Sequence, residues 1–83
     1  MDNTDLEKKL LYRCLHRGCK ETDFLLGRFG EDKIKEMDLD TQKIFDELLN
    51  EDDMLIYDWI LAKQKNPEKY DVLLKEVQIF HKL

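Results

Sequence analysis

Cys14, His16 and Cys19 place two thiols and an imidazole in one short stretch. Soft ligands of this kind hold structural zinc when four converge, usually in pairs two to four residues apart. The next candidate, His81, lies at the opposite end of the chain. Cys14 also falls on a stripe of apolar residues, where a free cysteine packs as a small hydrophobe. No metal site follows, and both cysteines are expected as free thiols. A Cys–His nucleophile needs an oxyanion loop beside it, and none accompanies this pair, so no residue reads as catalytic. Gly27-Arg28-Phe29-Gly30 lacks the preceding strand of a nucleotide fingerprint, which argues against independent flavin or ATP binding. The remaining group is His16-Arg17-Gly18-Cys19-Lys20-Glu21-Thr22-Asp23. A glycine stands between two helical stretches, with a guanidinium before it and carboxylates after it. In an unbroken helix Arg17 and Glu21 would be an i,i+4 pair worth a few tenths of a kcal/mol. With the helix broken at Gly18, they are expected to point outward together, solvent-accessible, as a donor and an acceptor suited to carboxylate or carbonyl groups of a partner. The plainer alternative is a solvated surface ion pair, which contributes about 0–1 kcal/mol.

The elements that must position this group read as five helices. Thr4 and Glu7 have the spacing of a capping box, and Leu6, Leu10, Leu11, Cys14 and Leu15 follow on one stripe. Gly18 ends this helix as a left-handed cap residue would. A second helix opens just after it, with Glu21 and Asp23 in its first turns, where the helix dipole favours acids. It carries Phe24, Leu25, Leu26, Phe29, Ile34 and Met37. Gly27 and Gly30 inside it each cost about 1 kcal/mol relative to alanine, which points to close packing or a kink. A third helix runs from about Asp40 to Leu49, with Ile44, Phe45, Leu48 and Leu49 buried. Asn50–Asp53 is a short acidic connection that caps a fourth helix bearing Leu55, Ile56, Trp59 and Ile60, with Tyr57 semi-exposed. Asn66 then acts as an N-cap and Pro67 as the first residue of a fifth helix, with Tyr70, Leu73, Leu74, Val77 and Phe80 on its apolar side. The expected core is Leu11, Leu25, Phe29, Phe45, Leu48, Trp59 and Leu74.

Composition supports an all-α fold, a small five-helix bundle forming a single domain over residues 1–83. Three glycines and one proline in 83 residues are too few for the tight turns of a strand-rich domain. Hydrophobic residues at 42% provide a core, and charged residues at 40% cover nearly every exposed position. The net charge of −5 disfavours nucleic acid, whose binding rests on phosphate neutralisation. The charge is uneven. Lys8, Lys9, Arg13, Arg17 and Lys20 occur with no acid among them, whereas residues 36–83 are strongly acidic. A basic face of this kind suits an acidic patch on a partner. No apolar run approaches the ~20 residues that span a bilayer. Without a signal or transit pattern, the chain is expected to be cytoplasmic and monomeric, with no direct membrane insertion.

Leu11-Tyr12-Arg13, Arg17-Gly18-x-x-Glu21-x-Asp23 and Leu25-Leu26-Gly27-Arg28-Phe29, in that order, resemble the small FAD assembly factors of succinate dehydrogenase, the SdhE type. Their hallmark is an Arg-Gly-x-x-Glu motif between the first two helices of a five-helix bundle. The resemblance continues through Phe45-Asp46-Glu47-Leu48-Leu49, Asp52-Asp53, Ile56-Tyr57-Asp58-Trp59 and the restart at Pro67. Cys14-Leu15-His16 and Cys19-Lys20 depart from the family pattern. The resemblance implies a chaperone, not an enzyme, that binds the flavoprotein subunit of succinate dehydrogenase and promotes covalent attachment of FAD to a histidine of that subunit. It implies a partner-binding surface of Arg17, Gly18 and Glu21, flanked by Tyr12, Arg13 and Asp23, with Gly18 allowing close backbone approach. FAD then belongs to the partner, with none bound stably by this chain. A fumarate reductase flavoprotein is a second candidate client. The competing reading is an antitoxin-like or other regulatory interaction module. A third, a small metal or redox protein, would use Cys14, His16 and Cys19.

Overall fold

The apolar spacings fold into helices that meet along their buried stripes. A computed structural model describes residues 3–83, with side chains from Asp5 onward. The described residues form five α-helices and two 3₁₀ turns: α1 (Asn3–Leu15), α2 (Lys20–Lys33), a turn at Ile34–Glu36, α3 (Leu39–Leu48), α4 (Asp53–Ile60), a turn at Glu68–Tyr70 and α5 (Asp71–Phe80). The all-helical bundle expected from composition is the fold observed. The Thr4 side chain, and with it the Thr4–Glu7 capping box, lies outside the described residues.

The first two helices form the most extensive contact, and the glycines of α2 explain how. A Cβ on Gly27 would stand 2.9 Å from Leu15 Cδ2, and one on Gly30 would stand 3.1 Å from Cys14 Sγ. Bare backbone at both positions lets α1 lie close against α2, so the glycines mark close packing and not a kink. Leu10 and Cys14 of α1 are fully buried, in one core with Leu26 and Phe29 of α2. Phe45 and Leu48 of α3, Ile56, Trp59 and Ile60 of α4, and Leu73, Leu74 and Val77 of α5 complete the core. Phe29 packs edge-on against Phe45 at 6.0 Å and Phe80 at 5.7 Å, the arrangement aromatic quadrupoles favour.

Several expectations shift. Leu11 is only half-buried and Leu10 takes its place in the core; Leu15 and Phe24 are exposed. The second helix ends at Lys33, so Ile34 belongs to the 3₁₀ turn and Met37 follows it. Asp38, not Asp40, caps α3, because its carboxylate reaches the Thr41 N–H three residues on, at 2.8 Å. Asp52 caps α4 by accepting from Met54 N–H, as the acidic connection suggested. Asn66 does not cap α5: its side-chain amide donates to the Pro67 carbonyl and to Asp71. The chain passes through the Glu68–Tyr70 turn before α5 begins.

Gly18 is not a left-handed cap, since no glycine has positive φ. The left-handed positions are Ala62 and Lys82, both at φ 59°. After α4, Lys63 N–H bonds to Asp58 O and Ala62 N–H to Trp59 O, the paired bonds of a Schellman ending that normally carries glycine. An L side chain in this conformation costs about 1–2 kcal/mol. Ala62→Gly should therefore stabilise the protein by about 1 kcal/mol after the glycine's greater unfolded-state entropy is offset, read as a raised denaturation midpoint.

Burial pushes the Cys14 thiol up to about 12, with Arg17 and Arg13 opposing this in part. Deprotonation and access are both blocked, and both are needed for reaction. Cys19 is only half-buried. A disulfide-exchange reagent should thus titrate one thiol rapidly in the native protein and two in denaturant. Two fast thiols in the native state would contradict the packing of Cys14.

Candidate functional site

Helix α1 stops at Leu15, and Arg17 leaves it sideways toward the connection between α3 and α4. That connection needs donors. Helix α3 carries no basic residue in its last turn, so its terminal carbonyls lack a local cation. Arg17 supplies one from the connection between α1 and α2. Its Nη1 donates to Leu49 O, its Nη2 to Glu51 O at 2.9 Å, and its Nε to Asp53 Oδ1. The Arg17 side chain is 10% exposed. One turn earlier, Arg13 donates to the Asp46 carboxylate and to Asn50 Oδ1. Arg13 of α1 and Arg17 just beyond its end therefore stitch the end of α1 to the end of α3 and the start of α4.

The hinge is also tied from α2. Arg17 N–H donates to Asp23 Oδ1 at 2.7 Å. The hydroxyl of Thr22, fully buried, donates to the Asp53 carbonyl at 3.0 Å. From the far side, Tyr70 OH donates to the Glu51 carboxylate at 2.9 Å. Between these anchors the residues that face solvent are Gly18, Lys20 and Glu21. The Cys19 thiol donates to Glu21 Oε2 at 3.2 Å and this contact, ahead of other causes, holds the Glu21 carboxyl below its ordinary value. Glu21 is consequently an exposed, ionised acceptor. Tyr12 is 65% exposed and stacks on His16 at 4.2 Å between ring centroids.

The six residues singled out by sequence thus fall into two groups. Tyr12, Gly18 and Glu21 lie at the surface, and Arg13, Arg17 and Asp23 are engaged within the fold. The outward Arg17–Glu21 pair does not form. Arg17 bonds to Asp53, and Glu21 accepts from Cys19 instead. The physical reason is the acceptor supply: two backbone carbonyls and a carboxylate converge on the fork, more than a single exposed carboxylate offers. Sequence reasoning missed Asp53, Thr22 and Glu51 as parts of this site. The signal available was the absence of a cation at the end of α3, next to an acidic connection.

The two sides of the hinge differ in what they do for stability. Truncating Arg17 leaves three acceptors without their donor, and an unmet partly buried acceptor costs about 1–3 kcal/mol. Arg17→Ala should therefore lower the denaturation free energy by about 2 kcal/mol. Gly18→Ala should leave it unchanged, because a Cβ there meets only Asp53 Oδ2, at 3.7 Å. Chemical denaturation of both variants checks the contrast, and equal midpoints would remove the clamp.

Among the described residues no group of three or more His, Cys, Asp or Glu side chains could hold a metal ion. His16 is taken up by its stack on Tyr12. A groove of about 670 Å³ runs between the end of α2, the start of α3 and α5 over Phe29, Met37, Ile44 and Phe80, and contains no hinge residue. No helix among the described residues is long and apolar enough to cross a membrane.

Residues 8–81 match the family model described as flavinator of succinate dehydrogenase. The chain is 36% identical over 73 residues to the FAD assembly factor SdhE of Coxiella burnetii, covering 86% of this chain and 87% of that protein. It is 36% identical over 69 residues to the mitochondrial succinate dehydrogenase assembly factor 2 of Cryptococcus neoformans, covering 83% of this chain and 39% of that protein. The Dictyostelium discoideum protein of the same name is 39% identical over 74 residues, covering 88% of this chain and 52% of its own length. The chain thus spans about half or less of these two mitochondrial relatives. No solved structure matches.

Proposed function

This chain belongs to the family of flavinators of succinate dehydrogenase, and on that premise we propose that it is an assembly chaperone for the flavoprotein subunit of succinate dehydrogenase. It binds that subunit and promotes covalent attachment of FAD. The observation that carries this reading is the match across residues 8–81, which takes in the whole Arg17–Asp23 hinge. An exposed carboxylate at Glu21 beside an unobstructed backbone at Gly18 supports placing the contact with the flavoprotein there. Tyr12 extends that surface, and Arg13, Arg17 and Asp23 belong to the same constellation.

The chaperone supplies no nucleophile, metal or general acid to the reaction. The flavin is held by the partner and supplies its own reactivity toward the partner's histidine. The contribution of this chain is geometric. A bound chaperone that fixes the flavoprotein in one arrangement lowers the barrier through proximity and orientation. It acts as a monomer in the compartment where the flavoprotein is assembled. Its acidic α3–α5 half and its basic α1 segment orient the encounter, because complementary charge steers association.

Co-expression with a succinate dehydrogenase flavoprotein subunit tests the reading. Denatured gels should show flavin fluorescence on the subunit when this chain is present and a several-fold weaker band when it is absent. A parallel arm with a fumarate reductase flavoprotein measures client range. Equal covalent flavin with and without the chain, and no co-purification of the subunit, would favour a regulatory module of the antitoxin-like kind.

A further inference from the structure

The hinge divides its work between residues that meet the partner and residues that hold them. We propose that Arg17 and Asp53 are positioning residues: together they lock the α1–α2 hinge so that Gly18 and Glu21 are presented to the flavoprotein, and the Arg17 guanidinium does not itself touch the partner. This rests on the chaperone reading above.

Three observations carry it. First, the fork is engaged inside the chain. Its Nε, Nη1 and Nη2 each have an acceptor, and the side chain is 10% exposed. Turning the fork outward to a partner would require breaking those bonds. Second, Asp53 is grasped from both sides of the hinge. Its carboxylate accepts from Arg17, before Gly18, and its carbonyl accepts from Thr22, after Glu21. One residue at the start of α4 therefore sets the distance between the two ends of the exposed segment. Third, the hinge closes on itself through Arg17 N–H and Asp23, leaving Gly18–Glu21 as a short arc whose ends are fixed. Glu21 contrasts with all of this, since it lies at the surface with Cys19 as its bonding partner.

A pair that acts as one unit is recognised by non-additivity, because residues in one hydrogen-bonded network couple strongly and independent contacts add. The experiment is a double-mutant cycle of Arg17→Ala and Asp53→Ala on affinity for the recombinant flavoprotein subunit, measured well below the melting temperature on variants verified as folded by circular dichroism. Each single variant should bind about tenfold or more weakly, and the double variant should be no weaker than the worse single by more than about threefold. Amide exchange at residues 18–23 should accelerate in both singles, while α5 stays protected. Phe45→Leu, which loosens the core away from the hinge, should bind within about threefold of the parent.

Additive losses in the cycle would show that Arg17 contacts the partner directly and would overturn the proposal, as would unchanged affinity in Asp53→Ala. Equal weakening by Phe45→Leu would reduce both residues to general stability and overturn it too. If an alanine variant does not fold, the cycle is run with Arg17→Lys and Asp53→Asn under the same criteria. Failure of the parent chain to bind the subunit would instead overturn the chaperone reading, and this proposal with it.

Discussion

Phe45→Ala should lower the free energy of unfolding by about 3–5 kcal/mol. The ring has no exposed surface, packs edge-on to Phe29, and stands where α3 meets α1 and α2. A fully buried phenylalanine loses both its transfer free energy and the contacts lining the cavity left behind. Phe29 is held on its other side by Phe80, so it cannot swing in to fill the space, and the loss falls toward the upper end of the range. A chain of this length has roughly 4–12 kcal/mol in total, so one truncation removes a large share of it. In a thermal melt the midpoint should fall by more than about 12 °C, since each kcal/mol moves a domain of this size by about 4–8 °C. A midpoint within about 2–3 °C of the parent, on the same scale, would show that the α3 stripe does not face the core.

That stripe is legible in the sequence because burial imposes a period. Phe45, Leu48 and Leu49 recur at the spacing a helix needs to keep one face inward, and so do Leu73, Leu74 and Val77. Gly27 and Gly30 are legible for a related reason: glycine in a helix interior needs a cause, and the close approach of Leu15 and Cys14 is that cause. Helix starts are less so. Asp38 and Asp40 are both acceptable caps by type, and only the reach of a carboxylate to one N–H decides between them. The clamp at Arg17 is not legible at all. Arg17 and Asp53 are distant in sequence, and two of the three acceptors are backbone carbonyls, which every residue possesses and no side-chain pattern marks. The spacing of Arg17 and Glu21 suggests a local pair. The chain instead turns out of the helix after Leu15, which removes the geometry that would have paired them. The left-handed endings at Ala62 and Lys82 are hidden similarly, because neither residue is the glycine that usually signals such a position. What spacing can indicate is the place of the site. Which of its residues face outward depends on contacts made across the bundle.

The proposed division of labour at the hinge gives Glu21→Ala the largest expected functional effect with no cost to the fold. Glu21 is exposed and accepts from a half-exposed thiol, so its removal leaves no buried group unpaired. Surface positions of this kind change stability by no more than about 0.5 kcal/mol. In the proposed contact, the carboxylate passes from water into the interface. Truncating a charge that pairs there costs about 2–5 kcal/mol, or roughly 30- to 4,000-fold in affinity. Covalent flavin on a co-expressed flavoprotein subunit should fall accordingly, while the melting curve overlays that of the parent. Arg17→Ala should show the opposite balance between the two measurements, with a clear loss of stability accompanying its functional defect. The Cys19 contact holds the Glu21 carboxyl below its ordinary value of 4.5. The charged acceptor is therefore present at neutral pH and is lost only when the pH falls through that lowered value. Affinity that depends on it should stay flat from about pH 8 down to about 5. Glu21→Gln, which keeps the shape and one acceptor oxygen but not the charge, should fall between the parent and the alanine variant. Parent-like flavin incorporation by a folded Glu21→Ala protein would move the contact surface away from the hinge.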